Sequence, residues 1–169
     1  MKDHVGSRPP LPGLQFPHGN DLRVLLLDCG AASEPVGTSW RNATEAAAAA
    51  RLVRHCTAQG LLDVVVLTAY EAQRRLLAEG RLEVPVATVD GFQGAEADLV
   101  VFSAVRHGRL GFVKDPRRLN VALTRARRGL VVLADRQALL ESPDWRAWVE
   151  WLEAEGGVKS LDQLAEVLV

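Results

Sequence analysis

The sequence predicts an α/β domain: an open, mostly parallel sheet with helices on both faces. Three observations carry that expectation. Short, wholly apolar runs recur along the chain, as in strands covered on both sides. Helical patterns with their own start and stop residues fall between them. The chain has 169 residues, 48% hydrophobic and 24% charged, enough to bury one sizeable core. Strands that alternate with helices assemble most simply into a parallel sheet through right-handed crossovers.

The elements follow in order. Residues 1–20 hold four of the eight prolines (Pro9, Pro10, Pro12 and Pro17) and read as an extended linker, as in a piece of a longer polypeptide. The domain proper is expected over 21–169. Leu22 to Asp28 is the first apolar strand. An alanine-rich helix follows, with Asn42 as N-cap, Glu45 at the capping-box position and Gly60 at its end. Asp63 to Leu67 is a second strand, and a helix opened by a Thr68…Glu71 capping box and closed by Gly80 comes next. Val84 to Val89 and Leu99 to Val105 are further strands. Asp115 caps a helix with Pro116 at its first position, and Leu130 to Asp135 is the last strand. In the tail, Trp145, Trp148, Val149 and Leu152 fall at i, i+3, i+4 and i+7, a stripe suited to docking on the core. Ser160…Gln163 caps a final short helix.

The net charge of −1 gives no global attraction to nucleic acid or to an anionic membrane, so polyanion binding must come from a local patch. Such a patch lies between Arg106 and Arg128: Arg106, Arg109, Lys114, Arg117, Arg118, Arg125, Arg127 and Arg128, with Asp115 the one acid among them. Cys29 and Cys56 have no metal or disulfide spacing and read as reduced packing residues. No charged-then-apolar leader opens the chain and no apolar run reaches a bilayer's length, so the expected location is intracellular, with no membrane contact.

Two segments interrupt the plain alternation. In TVDGFQGAEADLVVFSAVR (Thr88 to Arg106), Gly91 and Gly94 permit close backbone approach, Gln93 can donate and accept, and Glu96 offers the acceptor pair that suits ribose hydroxyls. In DPRRLNVALTRARRG (Asp115 to Gly129), Leu119, Ala122, Leu123 and Ala126 make a buried stripe. Arg118, Val121 and Arg125 line the adjacent face. Arg125, flanked by Thr124 and Ala126, presents a donor fork that stays charged and fits phosphate oxygens. In open α/β sheets ligands sit at the carboxyl ends of strands. GFQGAE and TAYEAQ each follow a strand, so both are expected at that edge.

Together these segments resemble motifs V and VI of the superfamily 1 helicases typified by the regulator of nonsense transcripts. GTSWRNATEA and VVLTAYEAQRRLL resemble two further segments of that family, in the right order, although Ala69 stands where the family often has proline. The resemblance runs from about Leu22 to the tryptophan helix and implies the second RecA-like motor domain, with the P-loop NTPase fold. It implies that Arg125 is an arginine finger on the γ-phosphate of ATP. Glu96 becomes the ribose contact, Gly94 allows close approach, and Gln93 couples nucleotide cleft to nucleic-acid groove. Thr68, Tyr70, Gln73, Thr88 and Ser103 match positions that hold a single-stranded RNA or DNA backbone. Asn42 and Glu45 are explained by capping and are read as structural.

No GxxxxGK[ST] occurs in the sequence, so no phosphate-cradling loop or its lysine is expected here. No acidic pair is placed after a strand to hold Mg2+. ATP and Mg2+ are therefore expected between this chain and a first RecA-like domain, with 5′-to-3′ movement along the strand. Without that domain the chain should not hydrolyse ATP at a useful rate. The alternative from another class is a non-catalytic interaction module on the same fold; intact Gln93, Glu96 and Arg125 argue against it. A metabolic nucleotide-binding enzyme would want GxGxxG after the first strand, where AASEPVG stands instead.

Overall fold

The computed structural model describes residues 9–17, 23–92, 95–108, 111 and 115–169, the side chains of Pro116, Arg118 and Leu119 excepted. Six parallel strands make one sheet: β1 (Val24–Asp28), β4 (Val64–Thr68), β5 (Val86–Thr88), β6 (Ala97–Ser103), β7 (Ala126–Ala134) and β8 (Val158–Ser160). Their order across the sheet is β5-β4-β6-β7-β1-β8, with every pair parallel. A separate antiparallel hairpin joins β2 (Glu34–Val36) to β3 (Ser39–Arg41).

Strand alternation divides the core in two. On one face Leu25, Leu27, Val64, Val66, Leu99, Val101, Val131 and Leu133 meet α1 (Ala43–Ala58), Leu77 of α2 (Glu71–Glu79), and Leu164 and Val167 of α6 (Leu164–Val167). On the other, Leu26, Val65, Leu67, Val100, Phe102, Leu130 and Val132 meet Ala122 of α3 (Pro116–Arg125), Leu139 of α4 (Arg136–Leu139), and the apolar face of α5 (Pro143–Ala154). Because both faces are covered, the strands read as unbroken apolar runs, and each fully buried leucine contributes roughly 1.5–3 kcal/mol. The three-layer α/β fold of the RecA-like kind is as expected.

The tryptophan stripe docks as its spacing predicts. Trp145, Val149 and Leu152 are buried. Trp145 stacks on Phe102 of β6 at 6.4 Å and 13°, and Trp148 meets Trp145 edge-on at 5.4 Å. Asp115 caps α3 with Pro116 in its first turn, and the Ser160–Gln163 capping box is present.

Four expectations are corrected. Residues 9–17 do not form a free linker: Leu11, Leu14 and Phe16 are buried in the first core, and Leu14 bridges Leu168. Gly129 of β7 accommodates them. A Cβ there would stand 2.6 Å from Leu11 Cδ1 and 2.9 Å from Phe16 Cζ. An interior-strand glycine of this kind marks a close approach. Second, Thr68 does not cap α2. Tyr70 is the N-cap without a side-chain bond, and Ser39 Oγ in the hairpin accepts the Ala72 N–H at 3.1 Å. Third, Glu45 does not close a capping box, since the Asn42 N–H goes to Gln73 Oε1 at 2.8 Å. Fourth, β7 starts at Ala126, directly after α3, because the ladder to β6 begins at Ala97↔Ala126.

Candidate functional site

Among its described residues, the connection from β5 to β6 contains no helix. After Thr88 the chain turns, with Gly91 N–H donating to both the carbonyl and Oγ1 of Thr88 at 3.0 and 3.1 Å. It must then return along the sheet, because parallel strands run the same way. Glu96 therefore lands one residue before β6, exposed, at the amino edge. Helix α3 makes the same journey in parallel, and Arg125 ends it one residue before β7. Since Ala97 and Ala126 are register partners, Glu96 and Arg125 precede paired residues on neighbouring strands. The two thus stand on neighbouring strands, at the amino edge and not the carboxyl edge expected for GFQGAE. Gln93 and Gly94 lie outside the described residues.

A cavity of about 280 Å³ opens where the two segments start their run, lined by Val89 and Asp90 on one side and Asp115, Arg117 and Val121 on the other. The starts of the two segments thus line one cavity.

The arginines of the TRARRG stretch differ sharply. Arg127 pairs with Asp63 and, at 3.2 Å, with Asp98. Arg128 pairs with Asp98 at 3.2 Å and donates to the carbonyls of Pro9 and Pro10 at 2.8 and 3.0 Å. Arg125 is half-buried, and its Nε is buried with no hydrogen-bond partner. It is the one of the three with no polar partner among the described residues. Leaving a buried donor unmet costs free energy, so this guanidinium is suited to an incoming acceptor.

The carboxyl edge carries a buried polar network. Gln73 Nε2 donates to the Asn42 carbonyl at 3.0 Å and to Ser103 Oγ at 3.1 Å. Ser103 Oγ donates to Glu45 Oε1 at 2.7 Å, which also accepts the Val105 N–H at 2.9 Å. Asn42 Nδ2 donates to the carbonyls of Ala31 and Val105, each at 3.0 Å. Glu45 is 0% exposed; burial pushes its carboxyl up to about 7, partly opposed by the bonds from Val105 and Ser103. The same burial, with Glu45 and Asp28 nearby, raises the Cys29 thiol.

The direct contacts with a nucleic-acid chain expected of Thr68, Gln73 and Ser103 have no surface to act through in this structure, since each is 0% exposed. The Thr68 hydroxyl accepts the Tyr70 N–H at 3.4 Å, and the other two belong to the network above. These residues position the edge. Tyr70 is nearly buried at 8%, and Thr88 is half-buried. Residue reading missed the network itself, because Asn-x-x-Glu at a helix start has a simpler capping explanation. A glutamate within the otherwise small and apolar ATEAAAAA run was the available signal. Among the described residues no group of three or more His, Cys, Asp or Glu could hold a metal ion. None of their helices is long and apolar enough to cross a membrane.

Known proteins share this arrangement of segments. The AAA domain family matches residues 10–137. A regulator of nonsense transcripts 1 homolog of Arabidopsis thaliana is 39% identical over 152 residues, covering 79% of this chain and 12% of that protein's length. Regulator of nonsense transcripts 1 of Dictyostelium discoideum is 36% identical over 153 residues, covering 78% of this chain and 12% of that protein. The ATP-dependent helicase upf1 of Schizosaccharomyces pombe is 37% identical over 136 residues, covering 71% of this chain and 15% of that protein. The chain thus spans only a small part of these relatives.

Proposed function

Since the chain belongs to the AAA domain family, among the superfamily 1 helicases of the regulator-of-nonsense-transcripts type, we propose that it is their second RecA-like motor domain. ATP binds between it and a first RecA-like domain. Arg125 reaches the γ-phosphate, Glu96 accepts from the ribose hydroxyls, Gly94 allows the close approach, and Gln93 links the cleft to the strand-binding side. The observation that carries this reading is the placement of Glu96 and Arg125, which has no polar partner among the described residues, on neighbouring strands, each one residue before the paired positions Ala97 and Ala126.

The chemistry follows from that placement. As the γ-phosphoryl group transfers, negative charge spreads over its oxygens, and a fixed guanidinium stabilises it more than it stabilises bound ATP. Mg2+ and the cradle for the β- and γ-phosphates are assigned to the first domain, because the sequence has no phosphate-binding loop. The opposite edge of the sheet, with Thr88 and Tyr70 supported by the buried network, faces single-stranded RNA or DNA. The 89–96 connection and α3 both span the distance between the two edges. Closure on ATP and release after hydrolysis are transmitted along them, moving the strand 5′ to 3′.

The ribose assignment is tested in the longer protein carrying both motor domains by comparing KM for ATP and for 2′,3′-dideoxy-ATP. A hydrogen bond to a charged group is worth about 1.5–3 kcal/mol. The protein with Glu96 should therefore prefer ATP about tenfold or more, and Glu96→Ala should bring the two KM values together. An undiminished preference in the variant removes Glu96 from the ribose.

A further inference from the structure

Just beyond β6 the backbone adopts a conformation that a β-branched residue rarely takes. Val105 has φ +74° and sits at the centre of a three-residue turn closed by Arg106 N–H donating to the Ala104 carbonyl at 2.9 Å. Such positive-φ γ-turns are rare and strained, and strain persists where surrounding groups over-determine it. Here they do: Glu45 takes the Val105 N–H and Asn42 Nδ2 takes its carbonyl. The outcome of the turn is the direction of the next side chain. The Arg106 guanidinium lies over the Trp40 ring, its Cζ 3.8 Å from the centroid.

Arg106 forms no ion pair among the described residues, and its Nε is buried without a hydrogen-bond partner. Asp135, which neighbours His107, is engaged by the backbone N–H of Gly108 at 2.8 Å and of Gln137 at 3.2 Å. His107 Nε2 lies 3.7 Å from it. Beside the guanidinium stands Gly111, at φ +57°. A Cβ there would lie 2.8 Å from Arg106 Nη1 and 2.9 Å from Tyr70 Oη. An indole shelf, a strained turn and a glycine thus hold a cation that no acid among the described residues neutralises. Seven residues of β6, at about 3.3 Å each, separate it from Glu96 by roughly 20 Å, too far to serve the same γ-phosphate.

We propose that Arg106, stacked on Trp40, is a phosphate contact for single-stranded nucleic acid on the carboxyl edge, and that the turn at Val105 aims it. A guanidinium stacked on an aromatic face keeps its in-plane donors free for phosphate oxygens, and the stack limits the freedom lost on binding. The choice of nucleic acid as the polyanion rests on the motor-domain reading; the aimed, unneutralised cation does not.

The test uses the longer protein with both motor domains and a fluorescent 20-nucleotide homopolymer, uridylate or deoxythymidylate, titrated across a series of salt concentrations. Arg106→Gln should weaken binding about tenfold at low salt and flatten the log–log salt dependence by about 0.7, the value for one phosphate on a single strand. Arg106→Lys should keep most of the slope while losing part of the affinity, because lysine keeps the charge without the planar fork. Melting temperatures measured alongside separate contact from stability, since a purely structural arginine lowers the melting temperature and leaves the slope alone. Parental affinity and slope in Arg106→Gln overturn the proposal, as does weakening that follows only the loss of stability. A protein that binds no single strand even with Arg106 present sinks the motor-domain reading as well, an outcome distinct from the other two.

Discussion

Arg125→Ala lowers ATP turnover by about a thousandfold in the longer protein with both motor domains, and changes its affinity for single strands little. Arginine fingers contribute about 10³ to 10⁵ in rate, because they act on charge that exists only as the phosphoryl group transfers. Among the three arginines of TRARRG, the proposed role falls to the one with no polar partner among the described residues. Arg127 is held by Asp63 and Asp98, and Arg128 by Asp98 and two proline carbonyls. Each would have to break existing bonds to reach a nucleotide. Arg125 would break none among the described residues. Arg127→Ala is therefore the matched control, with an expected loss in turnover of less than about tenfold from the disturbed amino edge. A loss of similar size in both variants, or none for Arg125→Ala, removes the finger from residue 125.

The second large effect is on stability and belongs to Glu45. Its carboxyl is pushed up to about 7 in the folded chain by burial, against an ordinary unfolded value near 4.5. The sign follows from proton binding. Between those two values the folded state holds a proton that the unfolded state has released, so stability falls as pH rises. The contribution is complete below about pH 4.5 and gone above about 7. At 1.36 kcal/mol per tenfold change in proton affinity, it amounts to about 2 to 3 kcal/mol between pH 5 and pH 8. Urea unfolding of the chain and of Glu45→Gln at both pH values isolates it from other groups. The parent should lose that amount relative to the variant on going to pH 8. Parallel behaviour would show that Glu45 does not carry the burden assigned to it.

The layers of the fold were legible because both faces of the sheet are covered. LLL in β1, VVV in β4 and LVVF in β6 have no polar residue to confuse with a turn, and the tryptophan spacing marks the buried side of α5. What escaped was decided by distant partners. The proline-bearing segment 9–17 looks like a linker until Gly129 is seen to leave room for Leu11 and Phe16. Thr68 and Glu71 have the spacing of a cap, but Ser39 from the hairpin supplies the oxygen instead. The short strands β2, β3 and β8 are mostly exposed or half-buried and lack the apolar run that reveals a central strand.

The candidate residues were read from chemistry and motif, and the edge expected for GFQGAE was the wrong one for Glu96. Glu96 and Arg125 stand out by chemistry, and motif likeness joins them. Their position at the amino edge depends on the return along the sheet after β5, which no local pattern announces. Trp40 and Arg106 are 66 positions apart in sequence, and nothing in either neighbourhood reports the stack. Similarly, Glu45 needed Ser103 and Val105, from the end of strand β6 some 60 positions along the chain, before it ceased to look like a capping residue.

The most direct measurement is the affinity of the longer protein for ADP with aluminium fluoride, a mimic of the transferring phosphoryl group, set beside its affinity for ADP alone. Arg125→Ala should weaken the first by a hundredfold or more and the second by less than about threefold, since only the mimic presents the charge a finger stabilises. Equal changes in both affinities, or none in either, would contradict a guanidinium at 125 that acts on ATP held by a neighbouring domain.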